Sequence, residues 1–200
     1  MWKGSESVSG YGSGVNYTKN LRNHLKSIIR DYDVHSILDL ACGDCNWIKE
    51  FFNQNGLKYV GIDIVKPLIA RNESLFRSDQ VKFLNLDITN SEIPFADLVI
   101  CRDLLFHLPN EEILKVLRKI VNSKSKYLLI TTHPRNALDS FDNIDIPGGD
   151  FRRIDLFAKP FFLPQSKILS FEDWMHPDPP RLMVLFEIEV LKATWRLSSI

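Results

Sequence analysis

The stretch "ILDLACGDCNWIKEFF", residues 37–52, decides how the whole chain is read. An apolar run ends in Ala41, Gly43 follows, and then Trp47, Ile48, Phe51 and Phe52 recur at helical spacing. This predicts a strand, a tight turn and a helix, the unit whose turn holds a ligand beyond the carboxyl end of a parallel sheet. Cys42-Gly43-Asp44-Cys45 in the same turn is a C-x-x-C, which also suits a redox pair or half a metal site. A pyrophosphate-binding turn calls for G-x-G-x-x-G, with glycines that let the backbone approach the ligand. The corresponding run here is A-C-G-D-C-N, with one glycine and an acid where the helix starts. An acid there is unattractive beside a pyrophosphate and suits a cofactor with positive charge and no phosphate.

Working outward, strands and helices alternate. Leu21, Leu25, Ile28, Ile29 and Tyr32 predict an amphipathic helix before the opening strand "SILDLA" (36–41). "KYVGID" (58–63), "VKFLNLD" (81–87), "ADLVIC" (96–101) and "KYLLITT" (126–132) are further apolar strands, with helices expected over 65–77 and from Asn110 as N-cap. Near-continuous apolar strands separated by helices imply a parallel sheet covered on both faces, a doubly wound α/β domain. Residues 133–165, with prolines and Gly148-Gly149, are too irregular for another crossover helix. "KILSFEDW" and "RLMVLFEIEVL" then predict an antiparallel hairpin. The expected organisation is one domain of seven strands: an N-terminal lid and helix (1–33), a cofactor-binding core (34–132), a substrate-side insert (133–165) and the C-terminal hairpin (166–200).

Bulk properties narrow the function. The 200 residues carry 25 basic and 25 acidic side chains, so no electrostatic footprint for nucleic acid or an anionic membrane is visible. With 44% apolar residues, no membrane-span-length run and no signal-like start, the expectation is a cytoplasmic protein with reduced thiols and a small-molecule substrate. Oligomeric state is left open by these features.

Acids close three strands. Asp39 lies at the end of the first, Asp63 ends the second about 20 residues after the glycine turn, where an acid accepts ribose hydroxyls, and Asp87-Ile88 follow the third. With "ADLVICRDLLFHL" after them, residues 36–132 resemble a class I S-adenosylmethionine-dependent methyltransferase. In that family the first strand and turn read D-x-G-x-G, matched by Asp39, Ala41 and Gly43. Ala41 and Cys45 stand where the family has glycines. The resemblance implies S-adenosyl-L-methionine as cofactor, S-adenosyl-L-homocysteine as product, and contacts from Asp39, Ala41, Gly43, Asp63, Ile64, Asp87, Ile88 and Arg102. It also implies that the glycine-rich N-terminus covers the cofactor's amino-acid end through Tyr11, Ser13 and Thr18.

The acceptor is read from what remains. His107 and Asp103, past the fourth strand, are the candidate catalytic groups, with His107 as the base a hydroxyl acceptor needs; Asp150 is a further candidate. His133, Arg135, Arg152 and Arg153 are candidate substrate contacts, since guanidinium forks match phosphate or carboxylate. The asparagine-proline-proline-aromatic motif of DNA-amine methylation is absent, because "CRDLLF" stands there. These features lead to methyl transfer onto a small polar acceptor; small enzymes resembling this one often serve surface-glycan or secondary-metabolite pathways, and that resemblance puts a hydroxyl of a sugar, phosphorylated sugar or glycan precursor foremost. Two other readings stay open: a non-catalytic cofactor-binding regulator of the same fold, and a cysteine-based redox or zinc protein using Cys42, Cys45, Cys101 and a histidine.

Overall fold

The computed structural model describes residues 6–135 and 139–195. The extreme ends of the expected lid and hairpin segments, 1–5 and 196–200, lie outside the described residues. Helix α1 (Lys19–Asp31) leads into β1 (Ser36–Leu40), and β2 (Lys58–Asp63), α2 (Lys66–Phe76), β3 (Val81–Asn85) and β4 (Leu98–Cys101) follow. Helix α3 (Asn110–Asn122) precedes β5 (Tyr127–Thr132), and β6 (Leu169–Glu172), β7 (Leu182–Glu187) and α4 (Ile188–Thr194) complete the chain. The strands form one sheet in the order β3-β2-β1-β4-β5-β7-β6. All pairings from β3 to β5 are parallel, and β7 runs antiparallel to both β5 and β6. The fold is therefore the expected seven-stranded, mostly parallel α/β sheet with an antiparallel hairpin.

Each sheet face buries its own apolar cluster. On one, α3 contributes Ile113, Val116, Leu117, Ile120 and Val121. Each such side chain, fully buried, is worth about 1.5–3 kcal/mol relative to exposure. On the other lie α1, α2 and the segment after β1. The insert completes the first face: Ile154, Leu156, Phe161 and Leu163 pack on the sheet with α3 and α4. Among the described residues it does so without a regular helix, as its composition implies.

Three local expectations change. After β1 there is only a 3-10 turn, Ile48–Phe51, instead of an α-helix. Its apolar side chains are buried as expected, but Cys45 (φ 58°) delays helical geometry and Gly56 (φ 80°) ends the segment soon afterwards. Asn110 is the first residue of α3, with Pro109 at the cap position. The stretch "IEVLKAT" is helical, because Ile188 and Leu191 share one buried face at helical spacing.

Chain order reverses between β1 and β4, whose neighbours β2 and β5 extend in opposite directions. This is the topological switch point, and the crevice lies beyond the carboxyl ends of β1 and β4.

Candidate active site

The crevice floor is the turn after β1, held in left-handed geometry: φ is 63° at Ala41, 57° at Gly43 and 58° at Cys45. A β-carbon costs roughly 1–2 kcal/mol at such a position, so Ala41 and Cys45 carry strain that glycine would not. At Gly43 space forbids a side chain as well, because a β-carbon there meets Ser9 Oγ at 2.3 Å. The Gly43 N–H donates to Asp63 Oδ2 (3.1 Å), and Val65 N–H donates to Asp63 Oδ1 (2.9 Å). The carboxylate closing β2 is thus fixed against the turn.

Beneath the turn is a buried polar chain. Tyr59 Oη donates to Asp39 Oδ2 (2.8 Å). Cys45 Sγ lies 3.7 Å from Tyr59 Oη, and because the phenol proton is committed to Asp39, the thiol is the donor. Burial pushes the Asp39 carboxyl up to about 7, against the pull of Tyr59 and Arg102. Asn72 Nδ2 donates to the Gly43 carbonyl (2.7 Å) and lies 3.5 Å from Cys45 Sγ. All three cysteines are free and buried. Cys42 is pushed well above the ordinary thiol range by its hydrogen bond with Cys45 and by burial, and Cys101 is raised by burial. A thiol so held is a poor nucleophile and metal ligand, which weighs against the redox reading of the C-x-x-C. Among the described residues no three His, Cys, Asp or Glu side chains form a metal-holding group.

Asp44 corrects another expectation. It does not face a ligand's charge; it anchors the N-terminal segment. Its carboxylate accepts from Ser7 Oγ (2.8 Å) and Val8 N–H (2.8 Å), while its own N–H donates to Ser9 Oγ (2.9 Å). Asn46 Nδ2 reaches the Ser13 carbonyl (3.0 Å), and Arg102 Nη2 the Gly12 carbonyl (2.8 Å). Ser9, Gly10, Tyr11, Gly12 and Ser13 thereby roof the crevice. Thr18 is not part of it: fully buried, it donates to the Gly14 carbonyl (2.9 Å).

Three connected hollows make up the crevice, and Ala41 lines each. A slot of about 90 Å³ is bounded by Ile62, Asp63, Ile64, Leu86, Asp87, Ile88 and Leu108 among others, and is almost wholly apolar apart from its carboxylates. Asp87 accepts from Thr89 Oγ1 (2.7 Å) and Thr89 N–H (2.9 Å), and these bonds hold its carboxyl below the usual carboxylate range. A groove of about 470 Å³ runs past Gly43, Asp63, Val65 and Leu68. The third hollow, about 420 Å³, lies under the N-terminal roof and extends to Phe106, His107, His133, Phe151 and Arg181.

Two histidines in that third hollow present opposite edges. His107 Nδ1 is 2.8 Å from the Asp150 carbonyl, which only accepts, so the proton sits on Nδ1 and Nε2 keeps its lone pair. His133 Nδ1 accepts the Ile154 N–H (3.2 Å), so its proton sits on Nε2. Burial and the Arg181 charge push His133 down to about 4, which keeps it neutral. Phe106 and Phe151 touch both rings edge-on or tilted, at centroid distances of 4.6–6.4 Å.

Asp103 is at φ 53°, an unusual geometry for a residue with a side chain. Its Oδ2 lies 3.3 Å from Arg102 and 3.4 Å from Arg181, while its buried Oδ1 has no hydrogen-bond partner. Arg102 is buried, with Nε 2.7 Å from Asp173; burial opposes its charge, but Asp103 and Asp173 overcome that and keep it cationic. The three arginines expected to hold an anionic acceptor do not line the hollow. Arg135 pairs with Asp155 (3.1 Å), Arg153 with Asp139, and both lie over Phe141. Arg152 is buried and serves backbone carbonyls. Arg135 and Arg153 are thus spent within the insert, and Arg152 on the turn from Phe106 to Asn110. Arg181, in the C-terminal hairpin, lines the hollow together with Arg102, and with Phe106, Phe151, Asp178 and Trp47 it was missed as a site residue because no motif marks it.

Residues 37–124 match the family model described as a methyltransferase domain, a span that runs from β1 through α3 and carries Asp39, Gly43, Asp63, Asp87 and His107. Residues 37–124 are thus a methyltransferase domain, consistent with the class I S-adenosylmethionine-dependent type. The fold agrees with solved methyltransferases. Magnesium protoporphyrin IX methyltransferase (ChlM) from Synechocystis PCC 6803, with S-adenosylmethionine bound, is 16% identical with TM-score 0.63, covering 86% of this chain and 79% of that one. N-methyltransferase NodS from Bradyrhizobium japonicum WM9, with S-adenosylhomocysteine, is 13% identical with TM-score 0.62, covering 86% and 87%. The methyltransferase domain of bacterial CtHen1 is 10% identical with TM-score 0.62, covering 86% and 99%. No curated protein sequence matches the chain.

The cofactor of this methyltransferase is S-adenosylmethionine, and the crevice fits it. The slot and the turn offer carboxylates and apolar surface, and the absence of a β-carbon at Gly43 lets the N-terminal roof close over the turn at Ser9. No helix among the described residues is long and apolar enough to cross a membrane.

Proposed function

We propose that this methyltransferase modifies an oxygen of a small, neutral, polar acceptor, with a sugar or glycan-precursor hydroxyl the foremost class. The carrying observation is His107, whose Nδ1–H is committed to the Asp150 carbonyl while Nε2 keeps its lone pair beside the hollow. Nucleophilic attack by a hydroxyl needs its proton removed in or before the transfer, and a neutral imidazole nitrogen is suited to that. His133 offers a hydrogen-bond donor to a second acceptor oxygen, and aromatic walls from Phe106, Phe151 and Tyr11 suit a ring bearing hydroxyls. The commitment of Arg135, Arg152 and Arg153 elsewhere favours an unphosphorylated acceptor over a phosphorylated one.

In this reading Asp87 and Ile88 face the adenine, Asp63 accepts the ribose hydroxyls with Ile64 beside it, and Asp39, Ala41, Gly43 and Arg102 surround the amino-acid portion. Residues 6–16, through Tyr11 and Ser13, form the lid. When bound, the cofactor supplies an electrophilic methyl on a sulfonium. Asp103, with its unpartnered Oδ1, orients the acceptor or favours the positive charge nearby. The partner is a small molecule in a cytoplasmic setting, with neither nucleic acid nor membrane involved.

The test is a panel of sugar, polyol and amine acceptors assayed with the native protein and His107→Gln. An oxygen acceptor with transfer reduced about 10²–10⁴-fold in the variant, at unchanged S-adenosylhomocysteine affinity, is expected. Retained activity in His107→Gln, or transfer only to amines, contradicts the reading.

A further inference from the structure

The segment from Gly148 to Arg153 contributes little of its own to the hollow beyond Phe151, yet it is bound closely to the turn that carries His107. Gly149 N–H donates to the His107 carbonyl (2.8 Å), and the Asp150 carbonyl accepts from His107 Nδ1 (2.8 Å). Arg152 N–H donates to the Phe106 carbonyl (3.3 Å). The Arg152 guanidinium then spans the same turn: Nη1 donates to the carbonyls of Phe106 (3.2 Å) and Leu108 (2.7 Å), and Nη2 to Asn110 Oδ1 (2.8 Å). These partners bracket His107 on both sides. Although buried, this arginine has no carboxylate within ion-pair distance among the described residues. Desolvation lowers its pKa, so holding a charge here costs free energy that its three acceptors and the more distant Asp145 carboxylate offset.

A cation buried for three uncharged acceptors is a costly way to hold a loop unless the loop's exact position matters. Gly149 points the same way. At φ 93° it adopts a conformation that side chains rarely take, although nothing lies within 4 Å of where its β-carbon would be. Glycine is therefore required there by backbone direction, not by space, and that direction turns the Asp150 carbonyl back onto the imidazole.

We propose that residues 148–153 are a positioning device for His107, in which Arg152 fixes the turn and the Asp150 carbonyl fixes the imidazole tautomer that leaves Nε2 free to accept a proton. Arg152 is a positioning residue: it acts through His107 and touches no reacting atom. The inference rests on His107 as the proton acceptor, but the tautomer it describes is measurable without any methyl acceptor.

The experiment is nitrogen-15 NMR of the histidine rings in the full chain saturated with S-adenosylhomocysteine, above the histidine titration range. The native protein is expected to show His107 protonated on Nδ1 and His133 on Nε2. In Arg152→Met and in Gly149→Ala, the His107 ratio of Nδ1-H to Nε2-H is expected to fall about tenfold, the worth of one lost hydrogen bond. His133 and cofactor affinity stay unchanged. Should Arg152→Met fail to fold, Gly149→Ala, whose side chain has open space, decides. Native His107 protonated mainly on Nε2, or an unshifted ratio in a folded variant, overturns the proposal. If instead the tautomers behave as expected while His107→Gln keeps full methyl transfer, the positioning device stands and the base assignment falls.

Discussion

Ala41 and Cys45 show how a single residue can carry strain for a site. Both sit in left-handed geometry in the turn that floors the crevice. Ala41→Gly removes that strain and no buried packing, so it is expected to raise stability by about 1 kcal/mol in urea unfolding. Cys45→Gly relieves the same strain but empties a fully buried position that packs on Tyr59, and its net gain is expected to be smaller or negative. Asp39 makes a second residue-level prediction. Its raised constant, about 7, means the apo carboxyl is largely protonated below neutral pH. A cationic cofactor favours the ionised form, so affinity for S-adenosylmethionine is expected to rise with pH up to about 7 and level off above. In Asp39→Asn, calorimetry over the same range is expected to show that component gone. The acid at position 39 was legible as a strand-end carboxylate. Its Tyr59 partner was not, because a partner on a neighbouring strand leaves no mark in local spacing.

At the scale of elements, the N-terminal segment is fastened by one side chain more than any other. Asp44 takes two donors from residues 7 and 8, so Asp44→Ala is expected to free the roof. Limited proteolysis should then cut residues 6–16 faster, and cofactor dissociation should quicken by about tenfold, the cost of one charge-assisted bond. On the opposite side, Lys119 of α3 donates to the carbonyls of Ile88 (3.3 Å), Thr89 (2.8 Å) and Ser91 (2.9 Å), holding the loop that bounds the apolar slot. Lys119→Met is expected to weaken S-adenosylhomocysteine binding several-fold with α3 intact by circular dichroism. Elements were read well wherever apolar periodicity was long, as in α1, α3 and β1 to β5. The reading failed where a few residues break the period. "CNWIKEFFN" has a helical stripe, but of the ten residues between Cys45 and Gly56 only Ile48–Phe51 form a helical turn, and "EIEVL" alternates like a strand while Ile188 and Leu191 pack as a helix.

Across the whole molecule, two buried groups pull acid stability in opposite directions. His133 is lowered to about 4, so the folded state resists its protonation and stability is lost as pH falls from about 6.5 toward 4. Asp39 is raised, so the folded state holds a proton the unfolded chain has lost, and stability is gained as pH falls from about 7 toward 4. The native profile mixes both. His133→Gln is expected to recover on the order of 2 kcal/mol of relative stability at pH 4.5 compared with pH 7.5, read as a shift in urea midpoint. The switch point that gathers the acids was legible because sheet order follows from the alternation of elements. The acceptor end was not: Arg181 comes from the far hairpin, and Phe151 and Asp150 from an insert with no periodicity. The sequence suggested that the insert's arginines bind substrate, whereas the fold uses Arg152 to secure the turn bearing His107. The central claim is that the sulfonium methyl lies at the His107 end of the crevice. Nuclear Overhauser contacts from S-adenosylmethionine labelled with carbon-13 at the methyl test it directly. Contacts to the rings of His107, Phe106 or Tyr11 are predicted. Contacts instead to Ile88, Thr89 and Leu108 would place the methyl in the apolar slot and contradict the account.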